Sequence, residues 1–335
     1  MLGYAVSPAS IQNAMSNRAP LVQLLAAFTA VYVIWGSTYL AIAFAIDSLP
    51  PFLMLAVRFL VAGGIMLAWS TVRKRQSING SQVVNAMIIG AATLGIGTGA
   101  VAWAQQEISS GIAALLVTTV PLWMVFLDWR WFGSGRPRPQ VMLGLVLGIV
   151  GVGLLAAPDL NGSSKGWAML GVIVGSASWS VGSMQSKRMD LPRNLGVSAA
   201  WQMVGGGILL LIAGFLTGEV GGLDVQAMTT SSLLGLAYLV VFGSIVGFTA
   251  YVWLLANAQP RQIASYAFVN PVVAVLLGWL LAGEVLNTRI GIAMLVLVSA
   301  VALIVYFGRA PRSPAKHAIE CTPMPAAAVS AETPA

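Results

Sequence analysis

Arg58 is a charged residue well inside a long apolar segment of the chain, Phe52–Val72. It lies about seven residues into that segment, or roughly 10 Å below a bilayer surface if the segment is a membrane-spanning helix. An arginine at this depth is costly and is normally paired or turned toward a water-filled cavity. Arg58 therefore either attracts the carboxylate of a solute, or it reaches outward to the interface or pairs with Glu107.

Residues that could bind a solute by hydrogen bonding and ring contacts recur in three other apolar segments. These hydroxyl, amide and aromatic residues are Trp35, Ser37, Thr38 and Tyr39; Trp179 and Ser183, with Ser176 and Ser180 on the same helical face; and Tyr266 and Asn270, one turn apart. Facing a cavity, they would hold an amphipathic solute. The alternative is that the serines only allow neighbouring helices to approach closely.

Pro121 and Pro271 fall near the middle of two apolar segments. A proline in a helix removes one backbone donor and crowds the carbonyl four residues earlier, here Val117 and Ala267. Two interpretations follow. The prolines either shape hinges that let two parts of the protein rock, or they leave carbonyls free to bind solute or water.

Side chains that most enzymes and metal sites require are scarce. The single histidine, His317, and the single cysteine, Cys321, both lie in a C-terminal stretch rich in Ala and Pro. We therefore expect no metal, no cofactor and no enzymatic activity. No Asp or Glu lies deep in an apolar segment. Because proton-coupled antiporters usually carry such an acid, we expect facilitated transport or exchange.

Ten long apolar segments must position these residues. Of the 335 residues, 58% are hydrophobic and only 8% are charged, which excludes a soluble protein. About 20 apolar residues cross a bilayer as a helix. The predicted spans are Leu21–Ile46, Phe52–Val72, Val83–Trp103, Gly111–Leu127, Val141–Ala157, Gly166–Gln185, Gly196–Leu216, Leu233–Ala256, Ile263–Leu281 and Ile290–Phe307.

The positive charges fall almost wholly into alternate gaps between these spans. Fourteen of the 17 basic residues lie on one side: Arg18, Arg73, Lys74, Arg75, Arg130, Arg136, Arg138, Lys187, Arg188, Arg193, Arg261, Arg309, Arg312 and Lys316. The other side carries only Lys165 and Arg289. Since Lys and Arg in short loops mark the cytoplasm, we predict a multi-pass protein of the inner membrane with both termini cytoplasmic.

Weak internal similarity divides the chain into two halves of five spans. Pro121 corresponds to Pro271, and Trp35 to Trp179, each among small residues. Because five is odd, the second half enters the membrane with opposite polarity, an architecture typical of carriers. We predict an all-α integral membrane protein: residues 1–18 a cytoplasmic segment, 19–157 and 166–308 two inverted five-helix repeats, and 309–335 a disordered cytoplasmic tail.

Other residues are expected to have structural roles. The aromatic residues Trp103, Trp201, Tyr251 and Trp253 are for the most part expected to be interfacial anchors. Glycine pairs four residues apart indicate packing seams between helices, and they are Gly95/Gly99, Gly144/Gly148, Gly171/Gly175 and Gly243/Gly247. Glu284 is expected to cap the start of the tenth helix through the helix dipole.

Four strings in this order carry a family resemblance: Trp35-Gly36-Ser37-Thr38-Tyr39, Gly175-Ser176-Ala177-Ser178-Trp179, Ser265 to Pro271, and Gly283-Glu284. Together the chain resembles the EamA branch of the drug/metabolite transporter superfamily, and within it the YedA-type members, from about Ala19 to Gly308. The resemblance implies a ten-helix basket of inverted repeats that exports small metabolites, including amino acids in some branches.

The leading hypothesis is therefore a carrier that exports small amphipathic metabolites by alternating access, with amino acids, aromatic ones among them, as first candidates. The alternatives are a proton-coupled multidrug or metabolite antiporter and, more remotely, a channel or an intramembrane enzyme. The expected partners are a small-molecule substrate and the lipid bilayer, with the protein a monomer or homodimer. The net charge of +7 does not indicate nucleic-acid binding, because it follows the membrane topology.

Overall fold

The computed structural model describes residues 21–73, 78–131, 136–156, 164–258, 262 and 265–308. The predicted N-terminal segment 1–18 and tail 309–335 lie outside the described residues. Within the described part the chain is helical and contains no strand.

In the described residues, ten helices follow one another and match the ten predicted spans. Their bounds are α1 Leu21–Ala45, α2 Pro51–Arg73, α3 Gly80–Gly90 continued by Ala91–Thr98 and Gly99–Ala104, α4 Ser110–Val117 and Val120–Trp131, α5 Pro139–Ala156, α6 Ser164–Gln185, α7 Leu195–Leu216, α8 Thr230–Tyr238 continued by Leu239–Val246 and Gly247–Asn257, α9 Tyr266–Ala282 and α10 Thr288–Phe307. In the described chain, eight are long and apolar enough to cross a membrane, and α5 and α9 are shorter apolar helices. This confirms the predicted all-α membrane fold.

The helices pack mainly across the two halves. Helix α1 contacts α8 and α9 of the second half, and α6 contacts α3 and α4 of the first half. The equivalent helices α2 and α7 pack on each other, as do α5 and α10. Each half therefore supplies the same partners to the other, as two inverted repeats require.

Glycines set how closely these helices approach. A methyl group added at Gly90 of α3 would lie 1.8 Å from the carbonyl oxygen of Gln202 in α7, so the two backbones touch. A methyl at Gly144 of α5 would lie 2.9 Å from the Ala300 carbonyl of α10. The Gly144 contact agrees with the predicted packing seam at Gly144/Gly148, and Gly90 adds a close contact that was not predicted.

Helices α3 and α8 share a feature that the sequence does not signal. Residues Ala91–Thr98 of α3 and Leu239–Val246 of α8 are wound as π-helix, and each segment is 8 residues long. The two helices are equivalent in the repeats. Because π-helical turns are rare and concentrate at functional sites, the interior of the protein at these segments is where a site is to be sought.

Glu284 does not cap α10, so that prediction was wrong. The start of α10 is capped by Asn287, whose side chain accepts a hydrogen bond from the Ile290 N–H at 2.9 Å. Glu284 instead accepts hydrogen bonds from the first residues of α4, Ser110 and Gly111. The sequence could not distinguish these partners because both helices begin on the same side of the membrane.

Candidate functional site

Arg58 lies between α1, α2 and α8 with 6% of its surface exposed. Its Nε donates to Ser244 Oγ in the π-helical part of α8, at 3.0 Å, and its guanidinium carbon lies 4.8 Å from the centre of the Phe59 ring. Among the described residues no carboxylate pairs with it. Arg58 therefore neither extends outward to the membrane interface nor pairs with Glu107 in the structure.

An aromatic cluster surrounds the middle of α1. The Trp35 ring centre lies 5.1 Å from that of Tyr251 and 5.4 Å from that of Tyr266, the second pair edge to face. Tyr251 and Tyr266 also meet edge to face at 6.0 Å. Such arrangements are the favoured geometry of aromatic pairs. The prediction that Tyr251 is an interfacial anchor was wrong, because its ring packs inside the protein.

Two glycines of α8 place Arg58 and Trp35 side by side. A methyl group at Gly243 would lie 3.1 Å from Arg58 Nη2, and one at Gly247 would lie 2.7 Å from Trp35 Nε1. Four residues along a helix rise about 6 Å. The guanidinium and the indole therefore face the same side of α8, about one turn apart.

The other predicted residues of α1 have protein partners. Ser37 Oγ donates to the Ile34 carbonyl at 2.8 Å and lies 2.7 Å from the Tyr238 hydroxyl of α8. Thr38 Oγ1 donates to the Trp35 carbonyl at 2.6 Å. These two hydroxyls stabilise α1 and its contact with α8.

Asn270 lies next to this cluster, whereas Tyr39 packs against another apolar core, which includes Leu115 and Met169. The Tyr39 carbonyl accepts a hydrogen bond from Gln105 Nε2 at 3.2 Å. Asn270, one turn beyond Tyr266 on α9, has 7% of its surface exposed, and its Oδ1 accepts no hydrogen bond from the described residues. A buried acceptor without a donor costs free energy. Asn270 is therefore a polar group that a ligand could satisfy.

Trp179 and Ser183 of α6 lie away from this cluster. The Trp179 ring packs on Gly97 of α3, where an added methyl group would lie 3.1 Å from Cε3. Ser183 is half-buried on the next turns of the same helix. The structure thus brings together Trp35, Tyr266 and Asn270, with Arg58 about one turn away along α8, and packs Trp179 against Gly97 of the first half.

The hydroxyls on α6 mostly support packing. Ser180 Oγ donates to the carbonyls of Val120 at 3.0 Å and Ser176 at 2.8 Å, which joins α6 to α4. Ser176 Oγ is buried and has no hydrogen-bond partner in the described chain. Ser180 therefore has the packing role that was the alternative to solute binding.

The two predicted kink positions differ. Helix α4 is interrupted at Thr118 and Thr119, whose N–H groups donate to carbonyls three residues back, immediately before Pro121. Helix α9 continues through Pro271 without interruption. Whether either proline acts as a hinge stays a prediction.

Sequence reasoning missed Ser244, Tyr238 and the π-helical segments, and it assigned Tyr251 a different role. The spacing of Gly243 and Gly247 predicts a packing seam, and in the structure these glycines contact Arg58 and Trp35. No group of three or more His, Cys, Asp or Glu residues in the described part is placed to hold a metal ion.

The fold and the interior site define a class: a polytopic membrane protein built of two inverted halves, with a buried cation and an aromatic cluster between helices of both. The profile of the EamA-like transporter family matches residues 21–157 and 166–306. The chain belongs to this family and is a multi-pass transporter of the inner membrane.

Curated relatives agree with this assignment. The chain is 38% identical over 286 residues to the protein named "Uncharacterized inner membrane transporter YedA" of Escherichia coli (strain K12), covering 85% of this chain and 91% of that one. It is 23% identical to the "Uncharacterized transporter YvbV" of Bacillus subtilis (strain 168), covering 84% and 90% of the two chains. The predicted resemblance is confirmed.

A solved structure shares the fold. A crystal structure described only as that of a protein superimposes with a TM-score of 0.58, covering 87% of this chain and 100% of that one at 19% sequence identity. At this identity the likeness concerns the fold alone.

Proposed function

We propose that this transporter exports small amphipathic metabolites that carry a carboxylate, with amino acids, including aromatic ones, as the first candidates. The observation that carries the proposal is the position of Arg58. It is a buried cation that has no carboxylate partner among the described residues and lies about one helical turn from the Trp35 ring.

The chemistry of the site supports a carboxylate ligand. An unpaired guanidinium in an apolar interior attracts an anion strongly, and its planar fork matches a carboxylate. The Nε of Arg58 is held by Ser244, so the group is oriented through α8 while its terminal amino groups have no acceptor in the described part of the chain. A substrate carboxylate would complete its hydrogen bonding.

The aromatic cluster supports an apolar or aromatic substrate body. In an aromatic amino acid two carbon atoms, Cα and Cβ, separate the carboxylate from the ring. A ligand bound by its carboxylate at Arg58 would therefore direct its side chain toward Trp35, Tyr251 and Tyr266. Ring contacts of this kind add favourable free energy beyond the burial of apolar area.

The proposed transport cycle is alternating access, in facilitated or exchange mode. Two inverted halves with a site between their helices are the architecture in which rocking of one half against the other exposes a site to each side in turn. Proton antiport usually uses an acid embedded at the level of the site. The apolar segments of this chain carry no such acid deep within them. The direction, export, follows from the resemblance to the EamA branch.

The test uses purified protein in liposomes with a panel of labelled amino acids, with and without an imposed pH gradient. We expect saturable uptake of a subset of amino acids that does not require the gradient. Arg58→Ala is expected to abolish this uptake while the protein keeps its helical circular dichroism. Arg289→Ala, which removes a partly buried arginine at the start of α10, is the matched control and should transport normally.

Three results would contradict the proposal. Stoichiometric proton movement with substrate would show proton antiport instead. Equal uptake of an amino acid and its decarboxylated amine by both the parent and Arg58→Ala would show that Arg58 does not bind a carboxylate. Loss of the folded protein in Arg58→Ala and in Arg58→Lys would show that the arginine is structural.

A further inference from the structure

Two loops at the same end of the protein repeat a short motif. Helix α7 is followed by Gly218-Glu219 and α9 by Gly283-Glu284. Both glycines adopt the left-handed conformation, with φ of 79° and 63°, and in the described chain no other residue has positive φ. This conformation terminates a helix and turns the next residue back across its end.

Glu219 reaches from the second half to the first. Its N–H donates to the Gly214 carbonyl of α7 at 2.9 Å, which fixes the turn. Its carboxylate accepts hydrogen bonds from the N–H groups of Phe52 at 3.2 Å and Leu53 at 2.9 Å, at the start of α2. One side chain thus joins the end of α7 to the beginning of α2.

Glu284 makes the same connection between α9 and α4. Its N–H donates to the Gly278 carbonyl at 3.1 Å, and its carboxylate accepts from the N–H groups of Ser110 at 2.8 Å and Gly111 at 3.0 Å. A methyl group at Gly278 would lie 2.5 Å from Glu284 Oε2, and one at Gly111 would lie 3.2 Å from it. Because Gly278 and Gly111 have no side chains, they leave the space that the Glu284 carboxylate occupies.

The contacts of Glu219 and Glu284 are strong because each carboxylate lies at the N-terminus of a helix. A carboxylate at a helix N-terminus receives charge-assisted hydrogen bonds and interacts favourably with the helix dipole. Both glutamates are half-buried. The charge distribution places both contacts on the extracytoplasmic side, where the two halves must separate if the site is to open outward.

The Gly-Glu motif is not repeated in the sequence of the corresponding cytoplasmic loops. In the inverted repeat the corresponding residues follow α2 and α4, and the sequence there, 74–79 and 132–138, contains no acidic residue. The start of α7 is capped by its own Asn194, whose side chain accepts from the Gly196 and Val197 N–H groups at 2.9 and 3.3 Å.

In the described part of the cytoplasmic end, one contact between the halves is made by exposed side chains. The side-chain amide of Gln82 donates to the Asp190 carboxylate at 3.1 Å, and that of Asn85 donates to the Asp190 carbonyl at 3.0 Å. These groups are exposed, so water competes for them.

We propose that Glu219 and Glu284 form an extracytoplasmic latch, which holds the two halves together on that side and makes closure to the outside the resting state of the transporter. The inference rests on the alternating-access cycle of the proposed function. It assigns the asymmetry between the two sides to two carboxylates that the second half carries after α7 and α9, where the loops after α2 and α4 of the first half carry none.

The test measures distances rather than transport. In a Cys321→Ser background, spin labels at Gln106→Cys and Val225→Cys report the separation of the halves at the extracytoplasmic end by pulsed electron paramagnetic resonance in lipid nanodiscs. Both positions are exposed, one in each half. A second pair, Val84→Cys and Leu195→Cys, reports the cytoplasmic end.

In the double variant Glu219→Gln/Glu284→Gln, we expect the population of conformations with a long distance at the first pair to rise about tenfold. The reason is the loss of charge-assisted hydrogen bonds. The second pair should shorten. Asp47→Asn, which neutralises an exposed acid on the same side, is the matched control and should leave both distributions unchanged. Each single variant should show the same shift with smaller amplitude, which keeps the test available if the double variant does not fold.

Unchanged distances at the first pair in folded single and double variants would overturn the latch. A first pair that lengthens while the second stays fixed would support the latch and contradict alternating access. Because no substrate is needed, failure to find a transported amino acid has no effect on this measurement.

Discussion

The indole of Trp35 on α1 lies against Gly247 of α8, and the same relationship joins Trp179 on α6 to Gly97 of α3. Each tryptophan belongs to one half of the chain and each glycine to the other. Both glycines lie at or next to the end of a π-helical segment, Ala91–Thr98 or Leu239–Val246. The inverted repeat is therefore visible in side-chain contacts that cross between the halves, as well as in the order of the helices.

Gly247→Ala should displace the Trp35 ring. The added methyl group would lie 2.7 Å from Trp35 Nε1, closer than carbon and nitrogen approach without a shift. We expect a loss of about 1–3 kcal/mol in stability, the usual cost of overpacking, and a clear loss of substrate affinity. Thermal unfolding in detergent and substrate binding measure the two effects.

Two variants calibrate this prediction. Gly97→Ala should be milder, because its methyl group would lie 3.1 Å from Trp179. Gly153→Ala, where no atom lies within 4 Å, should not lower stability. If Gly247→Ala were as stable and active as Gly153→Ala, Trp35 would have room to move and would not define the site.

Ser244→Ala should release Arg58 from α8. Ser244 Oγ is the acceptor of the Arg58 Nε hydrogen bond at 3.0 Å, and a hydrogen bond to a charged group contributes about 1.5–3 kcal/mol. Because the guanidinium is then less well oriented, KM for carboxylated substrates should rise more than kcat falls. Transport kinetics in liposomes separate the two constants.

Thr249→Ala is the matched control for this change. Thr249 is exposed on the same helix and donates to the Ile245 carbonyl of its own turn at 2.7 Å. It should transport with unchanged KM. A kcat effect without a KM effect in Ser244→Ala would mean that the serine acts in the transport motion rather than in orienting Arg58.

Much of the fold was accessible from the sequence because the bilayer imposes it. Apolar segments of the required length predict the helices, and the alternation of basic loops predicts the inverted halves. Trp35 and Tyr266 are also candidates from the sequence, because aromatic rings that face a cavity could hold an amphipathic solute. The structure brings these two rings into direct contact.

The rest depends on registers between helices, which a single sequence does not encode locally. The sequence around Ser244 does not distinguish it from other serines in apolar helices. Its role follows only from the packing of α2, which brings Arg58 within hydrogen-bond distance. Tyr251 lies near a span end and so matches an interfacial anchor, although its ring turns inward. The π-helical winding has no residue signature, and the partner of Glu284 follows from which helix end is nearest in space.

Gly90→Ala should severely destabilise the protein. The methyl group would lie 1.8 Å from the Gln202 carbonyl oxygen, and a backbone cannot yield as a flexible side chain does. We expect a loss of 3 kcal/mol or more, roughly the upper end of overpacking effects, or no folded protein. Recovery of monodisperse protein and its melting temperature in detergent are the measurements.

Gly64→Ala provides the contrast on α2. No atom lies within 4 Å of its added methyl group, and alanine is preferred over glycine in a helix by about 1 kcal/mol. This variant should be neutral or slightly stabilised. Equal melting temperatures for the two variants would show that α3 and α7 are farther apart than the structure has them.

Asn270→Leu separates a binding role from a structural one. Asn270 Oδ1 is buried and accepts no hydrogen bond from the described residues, and leaving a polar group in that state costs about 1–3 kcal/mol. Replacing the amide with an apolar side chain of similar size should therefore raise the stability of the substrate-free protein while lowering its affinity for substrate. The measurements are melting temperatures without and with substrate, whose difference reports binding.

Asn257→Leu, which removes an exposed amide bonded to the Trp253 carbonyl of its own turn, should change neither melting temperature. A fall in the substrate-free melting temperature of Asn270→Leu would instead assign the amide to packing between α9 and α1, where its own carbonyl lies next to Gly36.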